Sequence, residues 1–376
     1  MFKLPPISLY IHIPWCIKKC GYCDFYSYVN KSFIPEKEYI DHLLKDLEKD
    51  LSLIKEREIN SIFIGGGTPS LLKSSSIKKM MREIKKRINI SNTAEITIEA
   101  NPTTLEYKRF FNYKKSGINR FSIGVQTFNS DLLKKIERTY NKREAILAVE
   151  EIKKINKNFN LDIMYGLPNQ SLKDVLLDLQ YAVKYNPTHI SWYQLTLEPN
   201  TPFYVKKLNL PNENNIFKML VEGEKFLKQS GYKKYEISSY AKLNYECQHN
   251  LNYWNFGDYI GIGCSAHGKI TQINGDIIRT IKNKNINDFM NGKYLKHKNF
   301  VLKKDKPFEY FMNIFRLYKP VLKRQFEERT NINQNYIKEK IKKAIEKGYL
   351  KNKIDFWDTT KKGKMFLNSL LKIFLD

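Results

Sequence analysis

The chain has 376 residues, 42% of them hydrophobic and 13% aromatic, enough to bury one large core plus a smaller satellite and too much for a disordered polypeptide. Lys and Arg number 65 against 39 Asp and Glu, a formal net charge of +26 that leaves nucleic acid, acidic lipid and carboxylated ligands open as partners. Runs such as KNKNINDF and INQNYIKEKIKKAIEK combine Lys with Asn and Ile, the drift of an AT-biased genome at solvated positions, so the charge reads mainly as surface.

The opening MFKLPPISLYIHIPW meets Pro5 and Pro6 early and lacks the charged, apolar and small-residue succession of a secretory signal. No apolar run reaches the roughly 18–20 residues of a membrane-spanning helix, so a cytoplasmic protein is expected. ISLYIHI (7–13) predicts a first strand. Cys16, Cys20 and Cys23 follow it within eight residues, and five cysteines in all do not match the paired framework of an oxidised domain. C-x3-C-x2-C is too tight for a disulfide staple and suits thiolates wrapped around one metal centre. Structural zinc would need a fourth ligand, with His12 recruited from the strand. A [4Fe-4S] cluster would keep one iron without a protein thiolate, open to a substrate or cofactor.

Tyr39, Ile40, Leu43, Leu44, Leu47 and Leu51 then recur at helical steps. Five more strand candidates alternate with helical stretches: SIFIGG (61–66), EITIEA (95–100), RFSIGVQ (120–126), NLDIMYG (160–166) and HISWYQL (189–195). Such βα units build a parallel sheet, either doubly wound or curled towards a barrel, with functional residues at the carboxyl ends of the strands. Gly65, Gly66, Gly67 and Thr68 follow the second strand, Glu99 ends the third, Gln126 ends the fourth and Asp162 lies in the fifth, which predicts one polar rim. After about residue 200 the rhythm changes, and the segment around CQHNLNYWNFGDYIGIGCSAHG reads as an extension packed on the barrel. From about 305 the sequence is mainly helical and ends in a winged-helix-like unit without a recognition code for DNA, so no nucleic acid is expected as a partner. The expected division is 1–235, 236–300 and 301–376.

CIKKCGYC directly after a strand, with an aromatic before the third cysteine, resembles the radical S-adenosylmethionine (SAM) superfamily. The resemblance implies a partial (β/α)6 barrel, a [4Fe-4S] cluster on Cys16, Cys20 and Cys23, and SAM chelated to the open iron, where reduction yields a 5'-deoxyadenosyl radical. GGGTPS (65–70) is similar to the family's glycine motif beside the methionine end of the cofactor. YIHIPWCIKKCGYCDF, SIGVQTFN, DIMYGLP and HNLNYWNFGDYIGIGCSAHG together resemble the oxygen-independent coproporphyrinogen III oxidase family over nearly the whole chain. That likeness implies a cofactor shell of Tyr10, Tyr22, Gly66, Gly67, Thr68, Glu99, Gln126, Arg138 and Asp162, with Arg138 facing the SAM carboxylate.

The true oxidases of this family carry a fourth cysteine two positions after the third and an extension before the first strand. Phe25, after Asp24, stands at that cysteine position here, and the chain reaches its strand by residue 7. Both departures resemble the other branch, the HemW-type haem chaperones, which bind haem and deliver it to respiratory haem proteins. His249-Asn250-Leu251-Asn252-Tyr253-Trp254 is similar to that branch's HNxxYW motif. The likeness implies His249 as a haem ligand, with Tyr253 and Trp254 offering flat apolar surface; Cys247 and His267 remain alternatives, and Cys247 and Cys264 are also expected in the core. Haem, respiratory haem-accepting proteins and a peripheral membrane contact are the expected partners. Radical decarboxylation of coproporphyrinogen III is the competing function, and no catalytic residue is assigned.

Overall fold

The computed structural model describes residues 4–29, 33–103 and 109–375. Its strands, in chain order, are β1 (Ile7–Ile13), β2 (Trp15–Cys16), β3 (Tyr28–Val29), β4 (Ile59–Gly66), β5 (Ile90–Ala100), β6 (Arg120–Gln126), β7 (Phe159–Tyr165), β8 (His189–Gln194), β9 (Lys233–Glu236) and β10 (Ser239–Ala241). They continue as β11 (Asp258–Ile262), β12 (His267–Thr271), β13 (Ile277–Lys282), β14 (Leu295–Phe300), β15 (Val321–Leu322), β16 (Leu350–Asn352) and β17 (Phe356–Thr359). All six strands expected from the sequence form. They pair in parallel in the order β1-β4-β5-β6-β7-β8.

Helices at Glu36–Ile54, Ser74–Lys85, Phe110–Lys115, Lys142–Ile155 and Leu172–Lys184 fall between successive strands of this set, giving a repeated βα rhythm. Within the first helix Tyr39, Ile40, Leu43, Leu44 and Leu47 are buried and Leu51 packs at the margin of the core, so the three- and four-residue spacing marks the sheet-facing stripe. The strands divide their faces by period two. In β1, Ile7, Leu9, Ile11 and Ile13 enter the apolar core, while Ser8, Tyr10 and His12 alternate with them.

The segment expected to pack on the barrel instead extends its sheet. β11 pairs in parallel with β1, placing Tyr10 opposite Gly261, and β12, β13 and β14 continue antiparallel beyond it. At the other edge β10 and β9 add antiparallel to β8, so β9 crosses the expected 235/236 boundary. The result is a twelve-stranded sheet whose edge strands, β14 and β9, do not pair with each other among the described residues. The six-stranded partial barrel with a helical C-terminal region therefore matches the expected fold class.

The C-terminal region has its own core, with Phe311, Phe315, Phe326, Trp357 and Phe374 in contact. Helices Lys323–Thr330 and Lys338–Glu346 and the sheet β15-β17-β16 give it a winged-helix-like outline. Tyr318 N–H donates to Tyr235 O at 2.9 Å and ties this unit to β9.

Candidate functional site

The loop leaving β1 carries the three cysteines. Cys16 sits on β2, which β3 pairs in parallel, and Cys23 N–H closes a turn on Cys20 O at 3.0 Å. Burial pushes the Cys16 thiol up and the Cys23 thiol up to about 11, so in the free protein these groups favour the protonated form. Coordination reverses that preference, because a metal holds its thiols as thiolates. The buried guanidinium of Arg138 donates to Cys20 Sγ at 3.2 Å and supplies a compensating positive charge. Thr68 Oγ1 lies 3.5 Å from Cys16 Sγ and accepts from Asn101 Nδ2 at 3.1 Å.

The turn after β4 requires glycine for measurable reasons. Gly66 has φ +115° and lies against the His12 ring, where a Cβ would stand 2.7 Å from Cε1. At Gly67 a Cβ would meet Trp15 O at 2.6 Å and Cys16 Sγ at 3.1 Å, so the backbone can approach the cysteine loop only without side chains. Gly67 N–H and Thr68 N–H bond Ile13 O and Trp15 O at 2.8 Å, locking the glycine turn to the cysteine loop. His12, the fourth ligand of the zinc alternative, has Nδ1 3.1 Å from Tyr10 Oη and Nε2 2.9 Å from Tyr26 O. The three cysteines border one cleft beside a cradle free of Cβ atoms and a buried arginine, while both His12 ring nitrogens already have partners, and among the described residues no three His, Cys, Asp or Glu side chains are grouped as a single-ion site.

Two adjoining cavities converge here. A cleft of about 260 Å³ is lined by Cys16, Cys20, Tyr22, Cys23, Gly66, Gly67, Thr68, Glu99, Gln126, Arg138 and Asp162. A chamber of about 730 Å³ contains Tyr10, Glu99, Asp162 and His249 among its lining residues, and Gly66, Glu99, Ser122, Asp162 and Phe25 face both cavities. Burial, reinforced by Asp162, pushes Glu99 up to about 8, while burial also raises Asp162. Glu99 Oε2 accepts from Gly66 N–H at 3.2 Å. Gln126 ends β6 at φ +66°, an uncommon conformation for a non-glycine residue, with Tyr193 Oη donating to its Oε1 at 2.8 Å.

Helix Gln248–Trp254 packs against β4, β1 and β11. His249 is buried, stacked on Phe63 at a ring separation of 5.1 Å, with Nδ1 3.0 Å from Ser61 Oγ and Nε2 3.0 Å from Tyr253 Oη. Burial and then the charge of Arg120 push its imidazole down to about 3, so it is neutral at physiological pH. Cys247 contacts Glu95 and Cys264 Sγ donates to Lys284 O at 2.9 Å; both are buried, and both lie outside the cysteine cleft.

The radical SAM superfamily profile matches residues 10–182, and the HemN C-terminal domain profile matches residues 301–366. A protein named heme chaperone HemW from Buchnera aphidicola subsp. Acyrthosiphon pisum (strain APS) is 68% identical over 375 residues, spanning all of both chains. The heme chaperone HemW of Escherichia coli (strain K12) is 48% identical over 376 residues, again spanning both chains. The chain belongs to the HemW family. A solved structure of coproporphyrinogen III oxidase (HemN) from Escherichia coli has a TM-score of 0.84 at 22% identity, covering 99% of this chain and 90% of that one. At that identity the likeness is one of fold.

Within this HemW-family chain, the residues expected around the cluster and SAM lie along the two joined cavities, and His249 lines the larger of them from a helix beside Ser61 and Glu95. Arg138 lines the cleft and is held from within the protein: Nε donates to Tyr140 Oη at 2.8 Å, and its other donors reach Cys20, Asn101 and Gly124 O. A buried guanidinium needs several partners, and the protein provides them from within. The interior also contains a polar set absent from the sequence expectation: Ser61, Glu95, Arg120, Ser122, Asn160, His189 and Ser191. Asn160 Nδ2 donates to Ser122 Oγ and Asp162 Oδ1 at 2.7 and 2.8 Å, and its Oδ1 lies 2.6 Å from His189 Nδ1. The available signal was period-two polarity within strands that a surface-sheet pattern would assign to solvent.

Proposed function

We propose that this protein is a haem chaperone: it binds haem in the larger chamber and passes it to respiratory haem proteins, while holding a [4Fe-4S] cluster and SAM in the adjoining cleft. The observation that carries the reading is the continuity of the two cavities, joined at Gly66, Glu99, Ser122, Asp162 and Phe25, with the HNxxYW helix lining the larger one. The chamber volume of about 730 Å³ suits a cofactor-sized ligand. The full-length similarity to proteins named heme chaperone HemW supports the same choice.

In this reading Cys16, Cys20 and Cys23 hold the cluster, and Tyr10, Tyr22, Gly66, Gly67, Thr68, Glu99, Gln126, Arg138 and Asp162 form the SAM shell. When bound, the cluster supplies an open iron and a reducing electron. Gly66 and Gly67 permit close backbone approach, and Arg138 offsets thiolate charge. Glu99 and Asp162 meet cationic or hydroxyl groups of the cofactor. His249 remains the proposed haem ligand; its neutral imidazole has a lone pair for iron, and ligation through Nε2 exchanges its bond to Tyr253. The three-part division is retained as a functional scheme of cofactor barrel, HNxxYW segment and C-terminal unit. No described helix is long and apolar enough to cross a membrane, and we assign encounters with membrane-bound acceptors to the basic surface.

The cysteine-lined cleft also supports a second reading, radical decarboxylation of coproporphyrinogen III. Anaerobically reconstituted protein with reductant and SAM separates the two. Haem binding with a spectrum altered in His249→Ala, and no carbon dioxide from coproporphyrinogen III, is expected. Release of carbon dioxide with porphyrin products would replace the chaperone reading by the enzymatic one.

A further inference from the structure

Arg120 opens β6 and faces the 730 Å³ chamber, with only 2% of its surface exposed. Its nearest carboxylate oxygen is Glu95 Oε2, 3.7 Å from Nε, too far for a hydrogen bond. Glu95 is already occupied: it accepts from Gln248 N–H and His249 N–H at 3.2 Å and from Cys247 Sγ at 3.4 Å. Among the described residues the buried Nε has no hydrogen-bond partner, and the Glu95 carboxylate meets it only as a long ion pair. Nearby Ser122, Asn160 and His189, by contrast, form a connected network. A buried permanent cation whose Nε donor is left unmade is costly unless a ligand completes it, and a carboxylate matches the guanidinium fork.

We propose that Arg120 receives a carboxylate of the ligand in the chamber; resting on the haem reading above, that group is a haem propionate. Arg120 begins the strand that Gln126 ends, roughly 20 Å away at strand rise. The chamber thus has an anion-receiving group at the opposite end of β6 from Gln126, which lines the cysteine cleft, and this suits a large ligand with carboxylates on one edge.

The test compares haem with haem dimethyl ester, whose propionates are capped, on the reconstituted full chain. Wild type is expected to favour the free acid by about ten- to a hundred-fold, the effect of charged hydrogen bonds. Arg120→Gln should abolish that preference while sparing affinity for the ester, and Arg120→Lys should restore part of it. Equal binding of both ligands by wild type, or a preference retained in folded Arg120→Gln, overturns the inference and leaves the haem reading standing. Binding of neither ligand by wild type overturns the haem reading and this inference with it. If Arg120→Gln fails to fold, the wild-type comparison together with Arg120→Lys decides.

Discussion

At the scale of single residues, the two cavities combine groups with opposite demands. Thiols at Cys16 and Cys23 are pushed towards neutrality by burial, yet Arg138 presents a buried positive charge to Cys20. That arrangement is more economical with a bound anionic thiolate centre than with empty thiols. Cys20→Ala is expected to abolish the brown chromophore and sharply reduce iron and sulfide content after anaerobic reconstitution; an unchanged metal content would remove the cluster assignment. The cysteine spacing was legible because the three groups lie in one local segment. The internal partners of Arg138 were not, because they come from separate strands and loops.

At the scale of elements, the six parallel strands were legible because each is short, rich in Ile, Val, Phe or Tyr, and bounded by loop residues. Their flanking helices carry local signals too. Ser171 and Asp174 form a capping box on helix Leu172–Lys184, with Ser171 Oγ accepting from Asp174 N–H at 3.2 Å and Asp174 Oδ2 accepting from Ser171 N–H at 2.9 Å. Ser171→Ala should therefore cost about 1 kcal/mol in chemical denaturation with haem affinity unchanged. A loss confined to haem binding would contradict this structural role. The extension after residue 241 was harder to read: β11 looks like another short strand in the sequence, but its parallel partner β1 is about 250 residues earlier. Nothing in the local pattern names such a distant neighbour.

For the whole molecule, buried ion pairs join those distant pieces. Asp258 at the start of β11 accepts from Arg57 at 2.7 Å and Lys269 at 2.9 Å, and also from Thr271 N–H and Oγ1. Burial alone would raise this carboxyl, but Lys269 and Arg57 hold it below the usual carboxylate range. The stabilisation is therefore present above the unfolded carboxylate value of about 3.9 and is lost as pH falls through the lower folded value. Asp258→Asn should lower stability at pH 7 by about 3–5 kcal/mol, because Lys269 loses its buried counter-charge, and should make the acid limb shallower. Denaturation curves at neutral and acidic pH check both effects; parallel acid limbs in wild type and variant would exclude Asp258 as their source.

The sequence by itself determined the alternating βα frame, the cysteine loop and the glycine turn, since propensity, spacing and local sterics act over short stretches, while Asp24-Phe25 marked the branch only through its family resemblance. Only the tertiary structure decided that the HNxxYW helix closes on β4 and β5 through Ser61 and Glu95, that two cavities meet at Phe25 and Glu99, and that Arg120 Nε is left without a hydrogen-bond partner among the described residues. Those outcomes depend on strand register and burial, which bring together groups far apart in the chain and set which polar atoms find partners.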